Sequence, residues 1–259
     1  MQATTTPHVT SVRPLVRYVD AEQAVIDVHV TLPPRYAPAS DPHVELLMQI
    51  AGSDGFQDES RVDLPMLHGT GSARFEVVQP QRWWPAGMGE QPLYELTLAL
   101  TVHNELLDTR TVTIGLTSVR PDASHEEEDA HGPRLLVNGQ VWAVRSVLPV
   151  DRVDESQLLP ATGDSVLLVR DHYGPDVLYQ AADRAGVLLV QCVPIHPEAA
   201  PEIDVQAQVD RLAAHPSLAG WFVGHLGRLS DEVAGRIQAL DPTRNVFRHF
   251  PVEPIEPAA

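Results

Sequence analysis

Positive charge is scarce in this chain of 259 residues: 18 Lys and Arg stand against 35 Asp and Glu, for a formal net charge of -17. So acidic a surface repels nucleic-acid phosphate and anionic lipid headgroups, and neither nucleic acid nor membrane is expected as a partner. Cysteine is almost absent. Cys192 stands alone, which excludes an internal disulfide framework. Long apolar runs are missing too: none approaches the ~20 residues that a membrane helix needs. Residues 1–10 are polar, without the apolar segment of a secretory signal. A cytoplasmic protein is the expectation.

What is present fits a globular protein, with 43% hydrophobic and 20% charged residues. The length suits one large domain or two ordinary ones. Residues 25–32 alternate apolar and polar, the period of a half-exposed strand. Runs at 44–50, 74–78, 93–102 and 109–116 read as further strands, separated by turn-rich pieces such as Pro33-Pro34 and 68–71. Short strands at this spacing, with no helical pattern between them, predict an antiparallel sandwich. Trp83, Trp84 and Tyr94 read as packing residues, with sugar stacking as the rarer alternative. Residues 121–133 carry four consecutive acidic residues, Glu126 to Asp129, between His125 and His131. They read as a solvated linker rather than a cation site.

The second half has a different rhythm. Asn138-Gly139 between apolar runs is a hairpin signal. Apolar runs at 165–169, 187–190, 218–223 and 245–250 read as strands, the third of them apolar enough to be buried on both faces. Between them, 176–185, 205–214 and 230–240 carry helical faces. Gly186 suits the end of the first helix and Ser230 the cap of the third. Asp241-Pro242 stops the third helix, and residues 251–259 are expected to be loose. This alternation predicts parallel β-α units. Only about five strands fit, fewer than a full (β/α)8 barrel, which takes ~250 residues.

His215, Pro216, Ser217, Trp221 and Gly224 resemble a segment of glycoside hydrolase family 2, the β-galactosidase, β-glucuronidase and β-mannosidase family. There His-Pro-Ser leads into an apolar strand ending in Trp, then Gly, then Asn-Glu, and that Glu is the general acid/base. Trp84, Pro85, Pro92, Leu93 and Tyr94 resemble a Trp-x-Pro-x-x-Pro-x-Leu-Tyr segment in the family's immunoglobulin-like domain, with extra residues 86–91. Leu136, Asn138 and Gly139, Asp183 with Gly186, and Asp241-Pro242-Thr243-Arg244 match further family motifs. The resemblance implies an immunoglobulin-like β-sandwich over 1–120, an acidic linker over 121–133, and a truncated TIM-barrel-like α/β domain over 134–259. It implies no cofactor.

The resemblance also implies lost chemistry. Retaining glycoside hydrolysis needs two carboxyl groups roughly 5 to 5.5 Å apart. At the family's Asn-Glu this chain has His225 and Leu226, and leucine transfers no proton. The strand bearing the nucleophile has no counterpart. No catalytic residue is therefore assigned, and the expected role is binding or scaffolding, with a carbohydrate or protein ligand.

Candidate ligand-binding residues are Arg170, His172, Cys192, His225 and Trp221, at or near the carboxyl ends of strands, which form the functional face of such folds. The family has Arg-x-Ser-His-Tyr-Pro where this chain has Arg170-Asp171-His172-Tyr173, one residue shorter, so either Arg170 or His172 keeps the family position. His172, His196, His225 and His249 follow successive strands and are candidate metal ligands. The alternative function is therefore a metal-dependent enzyme built on these histidines, or a residual O-glycosyl hydrolase. An open sheet also presents edges that pair readily with another chain, so a homo-oligomer or another protein is the expected partner there.

Overall fold

The structure is a computed structural model and describes residues 11–32, 43–121, 134–150, 165–170, 172–195, 205–224 and 227–248. Its first part holds two four-stranded antiparallel sheets. One has the order β1-β2-β6-β5, built from β1 (Ser11–Val19), β2 (Gln23–Thr31), β5 (Met66–Leu67) and β6 (Thr70–Val78). The other has the order β4-β3-β7-β8, from β3 (Val44–Gly52), β4 (Gln57–Asp63), β7 (Tyr94–Val102) and β8 (Glu105–Ile114). Period-two alternation decides which side chains face inward. Ala24, Ile26, Val28 and Val30 of β2, Val44, Leu46, Met48 and Ile50 of β3, and Leu96, Leu98 and Leu100 of β7 fill one sandwich-like core.

The sequence pattern located β2, β3, β6, β7 and β8 but not β1 or β4. Strand β1 breaks the alternation because its second face is covered as well. Leu15 packs in the core beneath the helices of the second part, and Arg13 reaches Asp210 there. Pro14 is tolerated because β1 lies at a sheet edge, where a missing N–H costs no ladder bond. Strand β4 is an edge strand of mostly polar residues.

A three-stranded sheet of order β11-β10-β9 joins the two parts: β9 (Val119–Pro121), β10 (Arg134–Val137) and β11 (Gln140–Ala143). Asn138 and Gly139 turn the hairpin with φ of 49° and 81°, as a two-residue Asn-Gly turn requires. The Asn138 side chain does more than turn the chain. Its Oδ1 accepts from Ser118 N and Thr117 Oγ1, and its Nδ2 donates to the carbonyl of Trp83.

The second part is a five-stranded parallel sheet in sequence order: β12 (Ser146–Val150), β13 (Ser165–Val169), β14 (Leu188–Cys192), β15 (Leu218–Phe222) and β16 (Asn245–Phe247). Helices α1 (Asp176–Ala185), α2 (Val205–Leu212) and α3 (Arg228–Leu240) connect the later strands. Gly186 closes α1 with a left-handed φ of 71°. Ser230 lies inside α3 rather than capping it; the cap position is Gly227.

The sheet separates two apolar layers. Leu167, Val169, Leu189 and Trp221 pack beneath the helices, whereas Val166, Leu168, Leu188 and Val190 face Trp83, Trp84, Trp142 and Val137. That continuous burial on both faces is why these strands read as unbroken apolar runs. Closure of the sheet into a barrel is not seen among the described residues. Among the described residues, no helix is long and apolar enough to cross a membrane.

Candidate functional site

Two ends of the parallel sheet carry polar groups, and they do different things. At the turns that enter the strands, the family-like motifs meet. Asp183, in the last turn of α1, is buried; its Oδ1 accepts from Ser217 Oγ at 2.6 Å and Ser217 N at 3.2 Å, and its Oδ2 lies 2.6 Å from His215 Nδ1. The His215 ring lies against Tyr179, with centroids 5.2 Å apart. Asp241, ahead of β16, accepts from Trp221 Nε1 and from the backbone N–H and hydroxyl of Thr243. Arg244 donates to the His215 carbonyl. Burial pushes the Arg244 guanidinium below its usual pKa, against the opposing pull of Asp241 and Asp183.

Ser217, Asp183 and His215 are the residue types of a nucleophilic triad in the wrong order. In a working triad the base contacts the nucleophile and the carboxylate orients the base. Here serine and histidine both bind the carboxylate, and Ser217 is fully buried. The set therefore ties α1 to the turn before β15. Its place at the entering ends of the strands is the stability face of parallel β-α folds.

The opposite, carboxyl end of the sheet is the candidate functional face. Arg170 follows β13, and its backbone N–H donates to the Val150 carbonyl. His172 is half-buried, with Nδ1 2.7 Å from the Arg170 carbonyl oxygen. Cys192 ends β14 and is half-buried on the face opposite the helices. Phe222 and Phe247, paired in register across β15 and β16, share that face.

Sequence reasoning missed the residue that organises this end. Gln191 is fully buried. Its Oε1 accepts from Tyr179 Oη at 2.7 Å and Gly174 N at 3.0 Å, while its Nε2 donates to the carbonyls of His172 and Cys192. Every hydrogen-bonding valence of the amide is used, and the loop after β13 is fixed to the end of β14. A lone polar residue ending an apolar run was the available signal.

The expected site is only partly assembled from described residues. Trp221 is not at the ligand face: it is buried beneath the helices, with its indole N–H committed to Asp241. Strand alternation turns it away from the face that Phe222 occupies. Asp171, His196, His225, Leu226 and His249 lie outside the described residues. Among the described residues, no three His, Cys, Asp or Glu side chains come together as a metal-binding set.

Comparison with known proteins places this geometry. Residues 8–116 match the model of glycosyl hydrolases family 2. An exo-β-D-glucosaminidase from Streptomyces avermitilis is 31% identical over 132 residues, 49% of this chain and 14% of the relative. The β-glucuronidase of Rattus norvegicus is 24% identical over 246 residues, 78% of this chain and 36% of the relative. Among solved structures, a family 2 glycosyl hydrolase from Bacteroides cellulosilyticus superposes with a TM-score of 0.67 at 18% identity, over 92% of this chain and 34% of that one. The β-D-mannosidase of Dictyoglomus thermophilum gives 0.67 at 20% identity, over 92% and 34%. The likeness in structure is one of fold. Fold and motifs together define a β-sandwich protein joined to a sequentially wound β-α sheet. The similarity to glycosyl hydrolases family 2 covers residues 8–116 by family model, and the chain spans between 14% and 36% of the length of these two curated relatives.

Proposed function

We propose that this chain is a family 2-derived binding or scaffolding module without glycosidase turnover of its own. The observation that carries this reading is Leu226 at the position of the family's acid/base glutamate, within an otherwise kept His215-Pro216-Ser217, Trp221, Gly224 frame. A retaining mechanism requires a proton donor beside the glycosidic oxygen, and an alkyl side chain supplies none.

In this reading the two antiparallel sheets are an immunoglobulin-like domain and the parallel sheet is the opening part of a TIM barrel. Sequential strand order supports the latter. Right-handed crossovers that always step the same way keep the helices on one side of the sheet, and residues of all three helices do share one apolar layer with it. The ligand face is then the surface carrying Arg170, His172, Cys192 and His225, with a carbohydrate or a protein as ligand and a cytoplasmic setting.

The test is turnover of a panel of aryl β-glycosides, alongside glycan-array binding and metal analysis of the purified protein. No turnover with saturable glycan or protein binding supports the proposal. Turnover that survives in Leu226→Ala, or stoichiometric zinc whose removal abolishes an activity, overturns it in favour of an enzyme.

A further inference from the structure

Three asparagines occur in this chain, Asn104, Asn138 and Asn245, and only Asn138 precedes a glycine. An Asn-Gly step is the one most open to attack by its own backbone, because glycine has no Cβ to shield its nitrogen. Gly139 is exposed, and a Cβ built on it would meet nothing within 4 Å. Asn138, in contrast, is buried in the turn between β10 and β11. We propose that Asn138 is a latent deamidation site, held inert by the fold and released when the joint between the two parts opens. The site lies apart from the ligand face and does not rest on the reading above.

The reaction needs only water. The Gly139 nitrogen gives up its proton and bonds to Cγ of Asn138, the Cγ–Nδ2 bond breaks, and the amide nitrogen takes a proton and leaves as ammonia. Water then opens the cyclic imide at one of its two carbonyls, giving aspartate or isoaspartate. The attack requires Cγ to swing onto the nitrogen of the next residue. In the folded chain the amide is tied elsewhere: Oδ1 accepts from Ser118 N at 2.9 Å and from Thr117 Oγ1 at 3.2 Å, and Nδ2 donates to the Trp83 carbonyl at 2.9 Å. The backbone N–H of Asn138 donates to the Ser118 carbonyl as well. Thr117 and Trp83 are fully buried, so these bonds are not exchanged for bonds to water without opening the joint. Three hydrogen bonds of ordinary strength slow the attack by about a hundredfold.

Reaction would weaken the joint itself. Aspartate keeps the acceptors of Asn138 and loses its donor, so the Trp83 carbonyl would face a carboxylate in a buried site. Trp83 also donates its indole N–H to the Asp183 carbonyl of α1. A chain that opens and reacts therefore refolds with a looser junction, and the opening is recorded covalently.

The test is peptide mapping by mass spectrometry of the full chain aged in mildly alkaline buffer, with and without urea. Conversion of Asn138 is expected to be fast in urea and about a hundredfold slower in the folded chain. Thr117→Val removes one donor to Oδ1 and, folded, should convert about fivefold faster than the native chain. If that variant does not fold, conversion of the native chain in sub-denaturing urea serves instead, and it must rise with the opened population. Asn138→Asp should lower the melting temperature by about 5 °C. Equal rates in urea and in the folded chain, a folded Thr117→Val that converts at the native rate, or an Asn138→Asp chain as stable as the native one would each overturn the proposal.

Discussion

His215 Nδ1 sits 2.6 Å from Asp183 Oδ2, while the backbone oxygen of Asp183 accepts the indole N–H of Trp83 at 2.8 Å. One residue of α1 thus binds the turn before β15 with its side chain and the sandwich with its backbone. The carboxylate is the shared partner of two buried residues, His215 and Ser217. Asp183→Asn should cost about 3 kcal/mol of unfolding free energy, because the amide leaves a donor mispaired in a dry site. Ser217→Ala, which removes one arm only, should cost about 1 kcal/mol. Urea denaturation of both variants checks the order. Equal losses would mean that Asp183 is not the hub.

The two halves meet with no slack at Gly115. A Cβ there would lie 2.5 Å from Cγ of Pro216, a rigid ring on the turn that Asp183 holds. Gly115→Ala should destabilise by about 1–3 kcal/mol, the usual cost of overpacking. Gly235, in the exposed middle of α3, has open space around its Cα. Gly235→Ala should stabilise by about 0.5–1 kcal/mol, since alanine loses less backbone freedom on folding. Opposite signs in thermal unfolding are the expected outcome.

The site-bearing loop after β13 rests on one amide. Gln191→Leu strands Gly174 N, Tyr179 Oη and the His172 carbonyl together, a loss of about 3 kcal/mol if half of those groups find no water. Amide exchange at 172–174 should accelerate more than exchange in the sandwich. Uniform acceleration everywhere would show that Gln191 supports global packing instead.

How much of this was legible in the sequence follows from what each residue answers to. The bounds of α1 and the chain order of the parallel strands were readable because local period and burial agree there. The family frame was readable too, because His215 and Ser217 bind Asp183 while Trp221 and Thr243 bind Asp241, and these contacts fix the turns of the fold. Strand β1 was not, since its burial is set by α2, nearly two hundred residues away. Trp221 was misplaced at the ligand face because a motif gives spacing, whereas strand alternation decides the side. The role of Gln191 depends on partners from two other segments, which no local pattern contains.

Proton linkage at His29 gives a pH test of the sandwich alone. His29 is half-buried on β2; burial, then the neighbouring Arg13, lower its pKa below the ordinary 6.5, with Asp27 opposing and Arg17 adding to the effect. The unfolded chain therefore binds a proton at a higher pH than the folded one does. In the window just below the ordinary value, unfolding takes up protons, so stability rises with pH and falls as the solution is acidified. The sign is that of a histidine held neutral by the fold. His29→Gln should flatten the stability profile between about pH 7 and pH 5, leaving the profile above pH 7 unchanged. A profile in His29→Gln that still falls as steeply as the native one across that window would assign the acid sensitivity to other groups.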